Sequence, residues 1–352
     1  MYTEEQHIAA PYRLRMWKEA KAYVRSLRND ADARRADYFA PDYSSVEAYE
    51  KSTASFRGDL MCMLGRPLTE LPSVAPGKAE RILLEETEDG RVERLLVECA
   101  PGVWSYGLLY TPRSEGTKPY VTVLHGGLGT PETVMSVYGS ANYNDLGQRI
   151  RKATGAIVYA PQLILWGEGL NVSGEEKQDH AALDCSLKQV GGSMAAYEIF
   201  KIIRTVDWIC EKLPVDTDHM GIAGLSYGGF YSLFTAACDT RYRAVLSSGF
   251  FNDRYAYCWT DWHWFDSASK FLDAEIAGLV APRALCIEVG ERDGLFDIEK
   301  AKAEGRRAAA VYEKLGIPGQ YRFAAHPGTH EVCRTDENIA WFAEKLMHGR
   351  GE

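Results

Sequence analysis

The stretch GIAGLSYGGF, residues 221–230, places Ser226 between Gly224 and Gly228 at the end of an apolar run. A serine in this G-x-S-x-G pattern is either part of a structural turn or a nucleophile presented by a sharp strand-to-helix turn. Glycine is frequent in this chain, with 32 residues in 352, so the five-residue motif alone does not distinguish a nucleophile from a structural turn. The neighbouring sequence has to decide between the two readings.

The segments on both sides of Ser226 have the pattern of a strand followed by a helix. MGIAGL at 220–225 is a short apolar run, and residues 227–238 continue as a helical stretch. The same alternation recurs along the chain, which is typical of a parallel sheet covered by helices on both faces. The other predicted strands are 120–124, 156–160, 244–249, 284–290 and 321–326, and the other predicted helices are 191–213, 297–315 and 334–347.

The first part of the chain has a different organisation. Residues 11–72 space their apolar residues three and four apart, which predicts helices, and residues 80–112 alternate with a period of two between turn signals, which predicts an antiparallel meander. We therefore predict an α/β fold with two parts: a helical N-terminal extension over 1–79 and a catalytic domain over 80–352. The extension either mediates dimerisation or covers the sheet, and the sequence leaves both open.

Composition limits the classes of partner. The net charge is −9 and no dense Lys/Arg cluster is present, which argues against nucleic acid. No signal-peptide pattern or apolar run of membrane-spanning length is found, so we expect a cytoplasmic protein without a membrane partner. The eight cysteines have no C-x-x-C pair, and we expect them to be buried free thiols, with no metal and no organic cofactor.

A nucleophilic serine needs a general base, which a carboxylate orients. His330 follows the last predicted strand in HPGTHEV and is our candidate base; His326 ends that strand and is expected to pack or to shape the loop. Asp293 in GERDG is the candidate acid, Glu291 is the reserve, and Asp297 is better explained as a helix cap. These residues predict a catalytic triad of Ser226, Asp293 and His330.

The tetrahedral intermediate also requires amide donors for its oxyanion. The predicted strand 120–124 runs into His125, Gly126 and Gly127, where the missing Cβ atoms allow the backbone to approach a substrate. We assign the oxyanion hole to the N–H groups of Gly127 and Tyr227. His125 precedes the serine in the chain and is expected to support the loop.

Four motifs, LHGG, GLSYGG, GERD and GTHE, occur in an order and spacing that resemble the α/β-hydrolase superfamily from about residue 80 to 348. More closely, residues 204–251 and 274–293 are similar to the branch of acetyl xylan esterase-like and dienelactone-hydrolase-like proteins. The resemblance implies an α/β-hydrolase fold and places nucleophile, acid, base and oxyanion donors at the positions named above. Dienelactone hydrolases use a cysteine nucleophile, so Ser226 argues against dienelactone as the substrate.

Aromatic residues are concentrated in the insertion between strands 244–249 and 284–290. They either pack this loop onto the sheet or form a pocket wall over Ser226 that accepts sugar rings or aromatic acyl groups. Trp166 and Glu168 lie outside this insertion, in residues 161–169 after the predicted strand 156–160, and are further candidate neighbours of the pocket. The candidate substrate-binding residues are Trp166, Trp259, Trp262, His263 and Trp264.

These features predict a serine carboxylesterase that forms an acyl-enzyme, with acetylated or aromatic-acylated carbohydrates as the preferred substrates. One alternative is a peptidase or amidase of the prolyl-oligopeptidase type, which uses the same triad. The other is a non-catalytic binding protein of the same fold. A homo-oligomer is possible under each of these readings.

Overall fold

Nine strands form one sheet in the computed structural model, which describes residues 2–166 and 179–348. The sheet order is β1-β2-β3-β5-β4-β6-β7-β8-β9. Their bounds are β1 Ala79–Glu86, β2 Gly90–Ala100, β3 Val103–Pro112, β4 Lys118–Leu124, β5 Ile157–Pro161, β6 Val215–Leu225, β7 Tyr242–Ser248, β8 Ala284–Gly290 and β9 Tyr321–His326.

The first three strands pair antiparallel, as does β3 with β5, and all pairs from β5 to β9 are parallel. The predicted meander and parallel sheet are therefore confirmed. β6 begins five residues before the predicted start at residue 220 because its first half, Val215–His219, is polar and has no apolar run that marks it.

Ten α-helices lie in the described ranges. Their bounds are α1 Ala10–Tyr38, α2 Val46–Leu64, α3 Pro131–Val134, α4 Leu146–Thr154, α5 His180–Gln189, α6 Met194–Lys212, α7 Tyr227–Cys238, α8 Asp273–Val280, α9 Ile298–Lys314 and α10 Glu337–His348. The helical character of the N-terminal region is confirmed. No helix in the described ranges has both the length and the apolar content needed to cross a membrane.

Two apolar cores lie on opposite faces of the sheet. Side chains of α2, α6, α7, α8 and α9 pack on one face, and those of α3, α4 and α10 pack on the other. Strands such as β5 and β8 are buried along their whole length, which is why they appear in the sequence as unbroken apolar runs. This arrangement leaves the carboxyl ends of the parallel strands as the edge where loops can build a site.

All eight cysteines are free thiols. The prediction that they are buried is wrong for Cys62, Cys185 and Cys258, which are exposed. Cys62 and Cys185 lie on outward faces of α2 and α5, and Cys258 lies in the irregular insertion after β7. A cysteine side chain is small, so its place in the sequence of these segments does not predict whether it is buried.

Candidate active site

Ser226 lies in a tight turn between β6 and α7. Its φ of 59° is in a region that non-glycine residues rarely adopt. The turn is held by two backbone hydrogen bonds: the Ser226 N–H donates to the Ser248 carbonyl at 2.8 Å, and the Phe230 N–H donates to the Ser226 carbonyl at 2.9 Å. The side chain at position 226 is therefore presented above the carboxyl end of β6.

The two glycines of the motif are required by close backbone contacts. A methyl group at Gly224 would lie 2.5 Å from the carbonyl carbon of Gly228. A methyl group at Gly228 would collide with the carbonyl oxygen of Leu124, at the end of β4. The pattern around Ser226 is thus explained by the packing of α7 against two strand ends, as a nucleophile turn requires.

Asp293 and His330 form a hydrogen-bonded pair. His330 Nδ1 lies 2.8 Å from Asp293 Oδ2, and the Asp293 side chain is completely buried. The other carboxylate oxygen, Oδ1, accepts the N–H groups of Leu295 at 2.8 Å and Phe296 at 3.1 Å. With the carboxylate fixed in this way, Nδ1 carries the proton and Nε2 is left as the basic nitrogen.

The pair lies beside the serine turn. A methyl group at Gly249, the residue after Ser248, would lie 3.4 Å from His330 Nδ1 and Cε1 and 3.0 Å from Leu225 Cδ1. Since the Ser248 carbonyl accepts the Ser226 N–H, the imidazole ring is next to the strand residue that holds the serine turn. Phe296 stacks on the ring at 5.7 Å and limits its rotation.

The loop after β4 runs next to Ser226, since a methyl group at Gly126 would lie 3.1 Å from Ser226 Cβ. Three of its N–H groups are already bonded: Gly126 donates to the Tyr143 hydroxyl at 2.8 Å, Leu128 to the Leu165 carbonyl at 2.6 Å, and Gly129 to the Gly126 carbonyl at 3.2 Å. Within the described ranges, the N–H of Gly127 has no acceptor.

The N–H of Tyr227 is the second candidate donor. Tyr227 is the first residue of α7, so the residue four positions earlier lies in β6 and cannot accept an intrahelical bond. Its ring lies next to Gly127, because a methyl group there would be 3.4 Å from Tyr227 Cδ2. The two predicted donors are therefore neighbours.

His125 is a structural part of this loop. Burial lowers the pKa of the His125 imidazole to about 4, so the ring is neutral at ordinary pH. Nδ1 donates to the Gly126 carbonyl at 2.7 Å, and Nε2 accepts the Leu163 N–H at 2.9 Å. A neutral ring can fill both roles, whereas a protonated ring has no lone pair for Leu163.

The residues considered as alternatives for the general base and the orienting acid lie away from the His330 ring or have structural roles. His326 is buried at the end of β9, with its ring against Gly328. Glu291 is exposed. Asp297 caps α9, since its Oδ1 accepts the N–H groups of Glu299 at 2.9 Å and Lys300 at 3.0 Å. None of these three residues is hydrogen-bonded to His330.

The aromatic insertion is divided between core and surface. Trp262 is only 1% exposed and stacks on Phe230 of α7 at 5.3 Å. Trp264 is half-buried and also stacks on Phe230, at 6.4 Å. Both rings pack the insertion onto α7, and burial leaves Trp262 no open face for a substrate, which corrects the prediction for that residue; contact of Trp264 with substrate stays a prediction.

Trp259 has a different environment. Its ring is 37% exposed, stacks on Tyr257 at 5.3 Å, and lies 6.4 Å from both Tyr227 and Phe296. It therefore lies between Tyr227 and the Phe296 ring that contacts His330. Of the three predicted tryptophans in the insertion, this one presents a partly open aromatic face beside the predicted triad.

His263 and Trp166 occupy separate positions. His263 is half-buried and its Nδ1 is 2.7 Å from the Trp259 carbonyl, so it supports the loop that carries Trp259. Trp166 is half-buried and forms a parallel bridge with Leu128, which places it beside the loop after β4. Glu168 lies outside the described residues.

A buried carboxylate was missed from the sequence. Glu288 of β8 is 1% exposed and accepts the Ser248 hydroxyl at 2.7 Å, the Cys333 N–H at 3.0 Å and the Asn338 side-chain amide at 2.7 Å. It ties the strand behind Ser226 to the loop that carries His330. The available signal was a charged residue inside the apolar run ALCIEVG.

Comparison with known proteins gives matches to hydrolases. The model of the prolyl oligopeptidase family matches residues 188–275, a quarter of the chain. This match covers Ser226 and part of the insertion, and excludes Asp293 and His330. A Bacillus subtilis protein described as "Putative hydrolase YtaP" is 25% identical over 284 residues, covering 78% of this chain and 94% of that protein.

Solved structures match over most of the chain. A "putative acetyl xylan esterase" from Bacteroides fragilis has a TM-score of 0.64 at 14% identity, covering 88% of this chain and 85% of that one. A glucuronoyl esterase from Solibacter usitatus has a TM-score of 0.60 at 15% identity, covering 87% and 97%. The chain thus has the α/β-hydrolase fold, and acetyl xylan esterases and glucuronoyl esterases are among the proteins whose architecture it shares.

Proposed function

We propose that this protein is a serine carboxylic ester hydrolase, with Ser226 as nucleophile, His330 as general base and Asp293 as its orienting acid. The observation that carries the proposal is the hydrogen bond between His330 and the buried Asp293, formed beside the turn that presents Ser226. The esterase names of the structural relatives support the same reaction class.

The reaction begins with proton transfer. His330 Nε2 takes the proton of the Ser226 hydroxyl as Oγ bonds to the carbonyl carbon of the ester. The carbonyl oxygen becomes an oxyanion and accepts the N–H groups of Gly127 and Tyr227. Donors of this kind each contribute about 3 to 4 kcal/mol to lowering the barrier in enzymes where one has been removed.

Acylation ends when the carbon–oxygen bond to the alcohol breaks and the alcohol oxygen takes the proton from His330. The acyl group then remains on Ser226 Oγ. Water attacks the acyl carbon in the second half-reaction, gives one proton to His330, and releases the carboxylic acid as Oγ recovers its proton. The sequence of steps is balanced with the three side chains and water alone.

For the substrate we propose an acylated carbohydrate, with a small acyl group such as acetate. Two observations support this class: the partly open face of Trp259 next to the triad, and the carbohydrate esterases among the structural relatives. An aromatic face can stack on a sugar ring through apolar contact, and this contact does not require charge.

The first experiment compares p-nitrophenyl acetate hydrolysis by the wild type, Ser226→Ala and the matched control Ser55→Ala, an exposed serine on α2. We expect Ser226→Ala to lower kcat by about a thousandfold or more and Ser55→Ala to leave it unchanged. Labelling by a fluorophosphonate probe should be lost only in Ser226→Ala. A folded wild type that neither turns over the ester nor takes the label would instead support the non-catalytic alternative.

A second candidate function is peptide bond hydrolysis, which the match to the prolyl oligopeptidase family favours. It uses the same triad, so variants of Ser226 do not separate the two activities. Peptide p-nitroanilides and p-nitrophenyl acetate, assayed with the same preparation, do separate them. A kcat/KM for the peptide p-nitroanilides that exceeds the value for p-nitrophenyl acetate would favour the peptidase.

A further inference from the structure

The loop after β4, which contains the candidate oxyanion donor Gly127, is bonded on both sides of that residue to the segment after β5. We call this segment, residues 162–166, the β5 segment. On one side of Gly127, the His125 ring accepts a backbone N–H of the β5 segment at 2.9 Å. On the other side, the Leu128 N–H donates to the Leu165 carbonyl at 2.6 Å. The position of the Gly127 N–H therefore depends on where the β5 segment lies.

The β5 segment is in turn bonded to a buried carboxylate of α6. The Ile164 N–H donates to Glu198 Oε1 at 3.0 Å, and Glu198 is 1% exposed. Ile164 lies between Leu163 and Leu165, whose backbones form the two hydrogen bonds to the loop after β4. The bond from Glu198 thus acts at the middle of the segment, next to both of these contacts.

The charge of Glu198 is balanced by Lys201, which follows it on the same helix. Lys201 Nζ lies 3.0 Å from Glu198 Oε2, and Lys201 is 4% exposed. A buried ion pair of this kind adds little net stability, because both charges lose their water and apolar side chains can fill the same space. The geometry gives the pair another role: Lys201 holds Oε2, which directs Oε1 at the Ile164 N–H.

Lys201 also acts on the hydrogen bond of His125. Burial is the main cause of the lowered pKa of the His125 imidazole; the Gly126 carbonyl opposes it, and the positive charge of Lys201 lowers the pKa further. The ring has to be neutral, because its Nε2 accepts the Leu163 N–H. Both members of the ion pair thus favour the same arrangement of the loop after β4.

We propose that Glu198 and Lys201 are positioning residues for the oxyanion hole, a role that rests on the proposed function. The ion pair fixes the β5 segment, and the β5 segment fixes the N–H of Gly127. An oxyanion donor is effective only where it is held at the place at which the negative charge develops. Both side chains act through the backbone of the β5 segment.

The test separates the hydrogen bond from the charge with two double variants of the full-length protein. The first carries Glu198→Gln and Lys201→Met, which removes both charges and keeps a carbonyl oxygen that accepts the Ile164 N–H. The second carries Glu198→Met and Lys201→Met, which removes both charges and the acceptor. Neither variant leaves a buried charge unpaired, a change that would itself be strongly destabilising. Circular dichroism and urea unfolding establish that both are folded under the assay conditions.

The first readout is p-nitrophenyl acetate hydrolysis. The first variant should keep the kcat of the wild type. The second should lose about tenfold in kcat and the same factor in kcat/KM, because the lost stabilisation acts only on the transition state. Equal kcat values in the two variants, or a loss confined to KM, would overturn the proposal.

The matched control is Asp207→Asn. Asp207 forms another ion pair on α6 with the same spacing, in which Arg204 Nη1 lies 2.8 Å from Asp207 Oδ2. The substitution removes a carboxylate from the same helix without touching the β5 segment. It should leave kcat and kcat/KM unchanged even where it lowers the free energy of unfolding. A tenfold loss in this control would mean that any damage to α6 lowers activity, which contradicts a specific role of Glu198.

The second readout is independent of catalysis. The Leu128 amide is protected by its bond to the Leu165 carbonyl, and its hydrogen exchange is followed by mass spectrometry of a peptide that includes residue 128. Exchange should be about tenfold faster in the second variant than in the first, with no change in peptides of α9. An unchanged rate overturns the positioning role whether or not the wild type hydrolyses esters. The expected rates in a wild type that is inert toward esters would overturn the proposed function alone, so the two failures are distinguished.

Discussion

The position of His330 depends on a residue without a side chain. Gly249 has a φ of 57°, and a methyl group there would contact both Leu225 and the His330 ring. We expect Gly249→Ala to move the imidazole and lower kcat by about tenfold or more, because small misplacements of a catalytic group are costly. The measurement is kcat for p-nitrophenyl acetate, together with the free energy of unfolding in urea.

The matched control for this substitution is Gly102→Ala. Gly102 has a φ of 76° and no atom within 4 Å of the added methyl group. Both variants should lose about 1 kcal/mol of stability from the left-handed backbone conformation. Only Gly249→Ala should lose activity, and equal kcat values for the two would show that His330 tolerates the methyl group.

Glu288 connects several elements at once. Its carboxylate accepts donors from β7, from the loop after β9 and from α10. In Glu288→Gln the amide turns an acceptor into a donor, so one buried donor loses its acceptor. We expect a loss of about 1 to 3 kcal/mol in the free energy of unfolding.

The activity of Glu288→Gln should change together with its stability, since Glu288 holds the loop that carries His330 by accepting the Cys333 N–H. Urea unfolding and kcat are measured on the same samples. Glu299→Gln on the exposed first turn of α9 is the control and should change stability by less than about 0.5 kcal/mol. Unaltered stability in Glu288→Gln would mean that the network contributes nothing beyond packing.

The loop after β4 makes stability depend on pH through His125. The pKa of this ring is about 4 in the folded protein and about 6.5 in the unfolded chain. Between these values the unfolded chain binds a proton that the folded protein does not bind, so stability falls as the pH falls. Between the two pKa values this group should lower the free energy of unfolding by up to about 1.4 kcal/mol per pH unit, and below about pH 4 it should cause no further loss.

The measurement is urea unfolding at pH 6.5, 5.75 and 5.0. The slope of stability against pH in the wild type should exceed that in His125→Gln by about one proton. His219→Gln is the comparison, because the His219 ring contacts Asp216 and the Met347 carbonyl at the opposite end of β6. An identical slope in wild type and His125→Gln would exclude His125 as the linked group.

At the scale of the whole molecule, the sequence predicted what short-range patterns encode. The strand before Ser226 and the helix after it appear in the sequence because one is an apolar run and the other has a helical period. Asp293 and His330 could be predicted as a pair because each follows a strand in a loop, where few other residues could reach the serine, and the two side chains are hydrogen-bonded to each other. Such positions follow from the chain order of a parallel sheet.

Features that depend on packing between distant segments were missed or misassigned. Trp262 and Trp259 are three residues apart in the same aromatic stretch, yet one is buried under α7 and the other is partly open. Composition cannot separate them, since burial depends on Phe230 and Phe250 from other elements. The exposure of α1 over residues 10–30 could not be predicted from the sequence either. Its helical pattern indicates which residues share one face of the helix, and it does not indicate whether another element covers that face.

The order in which the site residues occur along the chain has a consequence for synthesis. Ser226 is made more than a hundred residues before His330, and β8 and β9 must still be added to the sheet after the serine turn exists. A nascent chain on the ribosome therefore has its serine without the proposed base that activates it. The hydroxyl cannot be acylated by cellular esters through this mechanism until translation has passed residue 330, so the emerging protein is protected from its own chemistry.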